Sequence, residues 1–509
     1  MRYTALAALA LVAVLALSLA ASFTQVAQAQ QTITIGALLP LTGDLQSYGV
    51  RAKAAVEVAV DDMNKYLEQQ NAWFRLELVV ADTQTKPDVA VQQFNSLVAQ
   101  GIKFIVGPMT SAEVKKLKEL ADQNNVLLIS PSSTAIELAI PGDNVFRFCP
   151  ADDVQSKAIG ALARDLGIKA VVIINRADTW GEGLAKATKS VLESLGIEVK
   201  NVYSYNPESP NFSAIASSAA NDVKALVSEY GYDKVAVIAI GFKEVVQLFK
   251  QAANYKELRE VAWFGSDGTA NLSEFIKDPV AAEFSMETLF INPIFSPAAT
   301  ETQLRVKDEV KAKIGEEPDA YSYAAYDAVV ALTLALLKVG PKGSPDELVN
   351  AVKQVLPEIT TSDEFAGMAA TGKFPLNDAG DRATADYDWW IIYKVGGKPE
   401  WVKVGVYKGV EDKNEWTALP DGKTFPDLFS AKFAAMKEEK PAEATPEKPK
   451  EETPAPAETE TEAPPAEKPA ETMTTPEEGG ISTTAIVAAI IIIVVVAAAA
   501  FYFLRMRGS

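Results

Sequence analysis

The sequence predicts an α/β chain of two parallel-sheet lobes joined by a hinge, followed by one C-terminal transmembrane helix. Three observations lead there. Short strand-like runs alternate with amphipathic helical runs from Gln31 onward; the alternation breaks once near residue 150 and then resumes; and an unbroken apolar run fills 485–504. Regular βα alternation demands parallel strands covered by helices. The roughly 400 residues between the two ends exceed what a single core sustains.

Residues 1–29 read as a signal peptide, with Arg2, an apolar stretch, and the small-x-small pattern Ala27-Gln28-Ala29. The first lobe is expected over 31–151 and 291–370. It opens with a strand at 32–39 and a helix at 49–67 that carries Ala52, Ala55, Val56, Ala59 and Val60 on one face. Strand 76–81, helix 88–100, strand 104–106, helix 112–124 and strand 126–129 follow. The second lobe is expected over 152–290 and 371–432. Its order is helix 153–166, strand 170–174, helix 181–195, strand 198–203, helix 212–229, strand 234–240, helix 244–253 and strand 261–264, with late strands at 388–395 and 400–407.

Residues 433–480 read as an acidic stalk. From Lys437 to Glu478 the composition is dominated by Pro, Glu, Thr, Ala and Lys, too poor in apolar bulk for a core and stiffened by proline and like charge. As a coil it would reach about 35–40 Å. The run at 484–504 is long enough for roughly 30 Å of hydrocarbon and has no polar stripe. Arg505 and Arg507 follow it, whereas Glu477 and Glu478 precede it, so 505–509 is expected to be a cytoplasmic tail and the binding domain to lie outside the cell membrane.

The net charge of -19 argues against nucleic acid and anionic lipid surfaces as partners. The chain has no histidine, which removes Ser-His-Asp and Cys-His catalysis and imidazole metal ligation. Its one cysteine, Cys149, sits in the apolar run Val145-Phe146-Arg147-Phe148-Cys149 and is expected to be plainly buried. Gly181-Glu182-Gly183 fails as a dinucleotide fingerprint because Lys186 occupies the third glycine position. The expectation is a protein that is not an enzyme and uses no cofactor or metal.

Open parallel sheets bind ligands at the carboxyl ends of their strands. Those ends carry Thr42-Gly43-Asp44 with Tyr48, Met109-Thr110-Ser111, and Ser132-Ser133-Thr134 in the first lobe. In the second they carry Asp178-Thr179-Trp180, Gly241-Phe242 and Ser266-Asp267-Gly268. Hydroxyls before helix N-termini suit a carboxylate. Taken singly, Thr110-x-x-Glu113 and Thr134-x-x-Glu137 also read as capping boxes, and Asp-Gly as a turn.

Several segments, in this order and spacing, resemble the type I periplasmic binding proteins of branched-chain amino acid ABC transporters, the leucine/isoleucine/valine-binding proteins. They are Leu41-Thr42-Gly43-Asp44 to Tyr48-Gly49, Val106-Gly107-Pro108-Met109-Thr110-Ser111, Ile129-Ser130-Pro131-Ser132-Ser133-Thr134, Trp180-Gly181-Glu182-Gly183, Phe264-Gly265-Ser266-Asp267-Gly268 and Tyr323-Ala324-Ala325-Tyr326-Asp327-Ala328. The resemblance implies that an α-carboxylate is held by the Ser111 hydroxyl, the Ser132 backbone N–H and the Thr134 hydroxyl, and an α-ammonium by Asp267. It places Tyr48 and Trp180 on opposite walls of the cleft, with Met109 and Tyr321 near the side-chain pocket; Thr110, Ser133 and Phe242 belong to the same strand ends. The family tyrosine that offers a hydroxyl to the ammonium aligns with Gly241 or Phe242, which have none, and Asp267 is shorter than the usual glutamate.

The implied function is capture of an amino acid by hinge closure and delivery to an ABC permease, the membrane being engaged by the C-terminal helix. Two alternatives stand beside it: the same fold binding an amide, a urea-like compound or an aromatic acid, and a ligand-sensing receptor ectodomain.

Overall fold

The computed structural model describes residues 30–439, with side chains through Met436. The segments expected to be the signal peptide (1–29), the membrane helix (484–504) and the cytoplasmic tail (505–509), with most of the expected stalk, lie outside the described residues.

Two sheets organise the chain. The smaller has the order β2-β1-β3-β4-β5, built from β1 (Gln31–Leu39), β2 (Phe74–Asp82), β3 (Phe104–Val106), β4 (Leu127–Ser130) and β5 (Val145–Arg147), and every pairing in it is parallel. The larger has the order β13-β12-β11-β10-β9-β8-β6-β7. It comprises β6 (Ala170–Arg176), β7 (Glu198–Tyr205), β8 (Val235–Ile240), β9 (Ala262–Phe264), β10 (Ile291–Ser296), β11 (Asp386–Val395), β12 (Lys398–Lys408) and β13 (Lys413–Trp416). Here β6 to β10 pair in parallel, but β11 to β13 form an antiparallel edge. Between β11 and β12 the cause is local: they are joined only by Gly396-Gly397, both at positive φ, the tight turn that reverses a strand.

Alternation along the strands explains the layering. In β1, β3 and β4, Ile35, Ala37, Val106, Leu127 and Ile129 point to one core with Ala52, Ala55, Val56 and Ala59 of the helix Gln46–Gln69. Leu38, Ile105 and Leu128 point the other way, toward Phe94, Leu97, Val114 and Leu117 of the helices Pro87–Ala99 and Ser111–Gln123. Burial on both faces is what a parallel sheet requires. The helix Ala320–Val339 is long and apolar enough to cross a membrane, yet it is almost wholly buried and packs on Gln46–Gln69 as a core helix.

Three expected boundaries shift. The chain returns to the smaller sheet after Ser296 rather than at 291, because β10 pairs with β9 and β11. The segment from 371 stays with the smaller sheet, where Asp381 bridges to Arg147 of β5, and the chain rejoins the larger sheet at β11. The helix Phe425–Glu439 extends the folded region past 433: Phe433 is buried and Lys432 donates to the Arg259 and Glu287 carbonyls.

In both sheets the strand order reverses beside the first strand of its series. The loops after β1 and β3, and after β6 and β8, therefore diverge to opposite faces and leave a crevice at the carboxyl edge.

Candidate functional site

The residues at those edges meet. A cavity with about 340 Å³ of space not filled by protein, part of it open, is lined by Leu45, Tyr48, Met109, Thr110, Ser111, Ser132, Trp180, Phe242, Asp267, Gly268 and Tyr321. Every expected site residue lines it except Ser133 and Thr134, which are buried just behind.

On the smaller-sheet side, the loop after β3 can turn under β1 because residue 107 is glycine, at φ 101°; a Cβ there would stand 2.2 Å from the Leu38 carbonyl oxygen. The turn places Thr110 as N-cap of Ser111–Gln123. Its Oγ1 accepts from the Glu113 N–H at 3.2 Å, and its own N–H donates to Glu113 Oε2 at 3.1 Å, so the expected capping box forms. The other does not: the short helix Ile136–Leu138 has no side-chain cap, and Thr134 instead stands beside Asp152. Ser111 Oγ accepts from the Ala135 N–H at 3.1 Å, which leaves its own proton to donate, while Ser132 Oγ donates to the Met109 carbonyl at 2.7 Å. First-turn N–H groups of a helix have no intrahelical partner and favour an anion. Burial pushes the Glu113 carboxyl beneath them up to about 7, so it opposes an anion less than a full charge would.

On the larger-sheet side, Asp267 is buried. Tyr321, reaching over from the smaller-sheet lobe, donates its hydroxyl to Asp267 Oδ2 at 2.5 Å, and Oδ1 has no hydrogen-bond partner among the described residues. Burial pushes this carboxyl up to about 6. The wall beside it is a stack: Trp180 and Phe242 lie 4.9 Å apart and nearly parallel, with the Arg176 guanidinium 3.9 Å over the far ring. Arg176 is anchored by Asp178 and Glu244.

The lobes touch across the cleft. The Tyr48 hydroxyl donates to the carbonyls of Asp267 (2.8 Å) and Ala270, Ser47 donates to Glu274 at 2.8 Å, and Arg51 donates to the Asn271 carbonyl at 3.0 Å. Lys243 reaches the Gly43 carbonyl.

Sequence reasoning missed Leu45 in the lining, and Asp152, Gln155 and Tyr387 behind it. Asp152 follows β5, so the strand-end rule applied one strand further would have found it. Tyr387 lies inside β11 and carries no local signal. Cys149 is buried as expected, its Sγ donating to the Ser133 carbonyl at 3.4 Å.

Two α/β lobes that meet over a small cavity at their strand ends have the architecture of a solute-binding protein. The periplasmic binding protein family matches residues 32–385, and the chain belongs to that family. It is 33% identical over 403 residues to an uncharacterised protein of Methanocaldococcus jannaschii, covering 77% of this chain and 94% of the other. It is 30% identical over 380 residues to a Leu/Ile/Val-binding protein of Rhizobium johnstonii, covering 74% and 95%. Among solved structures, a branched-chain amino acid transporter substrate binding protein of Streptococcus pneumoniae in complex with isoleucine shares the fold, with a TM-score of 0.56 at 23% identity over 73% of this chain and 100% of that one. The chain is a type I periplasmic binding protein homologous to the branched-chain amino acid binding proteins of ABC transporters, a family of extracytoplasmic solute-binding proteins.

Proposed function

We propose that this protein captures an amino acid, branched-chain or closely related, and delivers it to an ABC permease. One observation carries the reading: a hydroxyl-lined helix N-terminus on one lobe faces a buried, half-satisfied aspartate on the other across a shared cavity. A zwitterion needs an anion site and a cation site a short distance apart. Ser111 and Ser132 serve its carboxylate, with Thr134 buried behind them, and Asp267 its ammonium; Tyr48 and Trp180 flank it from opposite lobes, with Met109, Phe242 and Tyr321 around its side chain. Because the two sites belong to different lobes, a ligand satisfies both only when the lobes are closed, and so it stabilises that state. The names of the relatives support the same ligand class. The stalk and the apolar run at 485–504 tether this trap to the outer face of the membrane, within reach of its permease.

Calorimetric titration with L-leucine, L-isoleucine, L-valine and the remaining amino acids tests the reading. Saturable binding by wild type and loss of at least tenfold affinity in Asp267→Ala are expected. No binding across the panel, or undiminished binding by Asp267→Ala, overturns it. The flat Trp180–Phe242 wall favours, as a second reading, a planar acid or amide in the same cavity; mass spectrometry of co-purified ligand separates the two.

A further inference from the structure

A second carboxyl lies behind the cavity floor. Asp152, the first residue of the helix Asp152–Asp165, is fully buried, and Gln155 ties it to Asp267. The Gln155 amide donates to Asp152 Oδ1 at 3.0 Å, and its oxygen accepts from the Asp267 N–H at 2.9 Å. Among the described residues each carboxyl keeps one buried oxygen outside any hydrogen bond, Asp152 Oδ2 and Asp267 Oδ1; Thr134 stands near enough to favour the charged form of Asp152 but not in bonding geometry. The Tyr387 hydroxyl, also buried and unpartnered, faces the same pair.

The groups facing this floor do not neutralise it. Arg147 of β5 binds both oxygens of Asp381 at 2.6 Å and donates to the Ser133 and Ala135 carbonyls. Cys149 and the phenols of Tyr48, Tyr321 and Tyr387 are held neutral, burial being the main cause in each. Two carboxyls sharing a buried site cannot both ionise without a cation, and they titrate as a pair. Burial first, and then the charge of Asp267, holds the Asp152 carboxyl well above the ordinary range.

We infer that Asp152 is a specificity-determining residue: paired with Asp267 through Gln155, it makes the cleft floor retain one proton that only a ligand with a cationic nitrogen displaces. The charges balance. The empty floor is one carboxylate and one carboxylic acid; the occupied floor is two carboxylates and one ammonium, and the proton leaves to solvent. A neutral isostere has no charge to exchange for it. The inference rests on the amino-acid reading above and adds proton release to it.

The test is calorimetry of wild type and Asp152→Asn with L-leucine at pH 7.5 in two buffers of different ionisation enthalpy, the difference counting protons. Wild type is expected to release between about one half and one proton per ligand, so its affinity rises roughly three- to tenfold per pH unit between pH 6.5 and 8. Asp152→Asn is expected to release almost none and to show a flat profile. Leucine binding to wild type without proton release, or an unchanged count and slope in the variant, overturns the inference; the wild-type count stands whether or not the variant folds. If wild type binds no amino acid, it is the functional reading that fails. The pair is then judged by a carboxyl NMR titration of the ligand-free protein: two coupled steps with one above pH 7 support it, and two ordinary carboxyls overturn it.

Discussion

Tyr321 shows how much one side chain can connect. It starts the helix Ala320–Val339, where the Asp319 carboxylate caps its N–H at 2.9 Å, and its hydroxyl crosses to Asp267 on the other lobe. That bond helps hold Asp267 charged against the burial that raises its carboxyl. Tyr321→Phe removes a hydrogen bond to a charged group, worth about 1.5–3 kcal/mol and so roughly 10–100-fold in affinity. It also moves the pH below which binding weakens upward, because the carboxyl loses a group that favours its ionised form. L-leucine titrations of Tyr321→Phe and wild type between pH 5 and 7.5 check both effects; an equal affinity and an unmoved profile would show that the bond has no part in binding. Asp267 could be placed from the sequence because Gly265-Ser266-Asp267-Gly268 ends a readable strand. Asp152 also follows a strand, but that it meets Asp267 could not be read, because their meeting depends on how two distant segments pack. The same holds for the Trp180–Phe242–Arg176 stack, in which each member has a clear local position and the stacking is wholly tertiary.

At the scale of elements, legibility follows the range of the forces. Apart from β5 and the shortest helical turns, the strands and helices up to residue 264 are readable because periodicity is local, and most of their ends differ from expectation by a residue or two. The helix Gln46–Gln69 begins earlier than its apolar stripe suggests, since Gly49 lets its first turn press on Pro40, where a Cβ would stand 2.0 Å from the carbonyl oxygen. The allocation of β10 and of residues 371–385 was not readable, because strand partnership is set across hundreds of residues. Arg147 and Asp381 make that second allocation, holding the 377–382 segment against β5 through a buried two-pronged pair and a backbone bridge. Removing one partner of such a pair strands the other charge, at a cost of about 3–5 kcal/mol. Asp381→Ala is therefore expected to lose that much in urea unfolding, several times more than Asp363→Ala, whose carboxylate pairs with Lys373 at the surface. Equal losses would mean that the pair contributes little to this edge.

For the whole molecule, the buried carboxyls set how stability varies with pH. Burial pushes Glu113 and Asp327 each up to about 7 and Asp267 to about 6. A raised carboxyl binds its proton more tightly in the folded chain than in the unfolded one. Its stabilisation is thus fully present below the unfolded value near 4 and is lost as pH rises through 6 to 7. Glu57 and Glu317 lie on the other side of the balance: partial burial raises them, but their lysine partners outweigh it and hold them below the usual range, so they weaken the fold only in stronger acid. The net charge of -19 adds self-repulsion that also grows with pH. Thermal unfolding is therefore expected several degrees higher at pH 5.5 than at pH 8. Glu113→Gln separates the buried carboxyls from the general charge, since an amide oxygen can still accept from the Thr110 N–H while nothing titrates there. The variant should show a smaller fall in melting temperature over this range, with its stability gain over wild type largest at pH 8. A steeper fall, or melting that rises with pH in wild type, would show that these carboxyls do not govern the folded state.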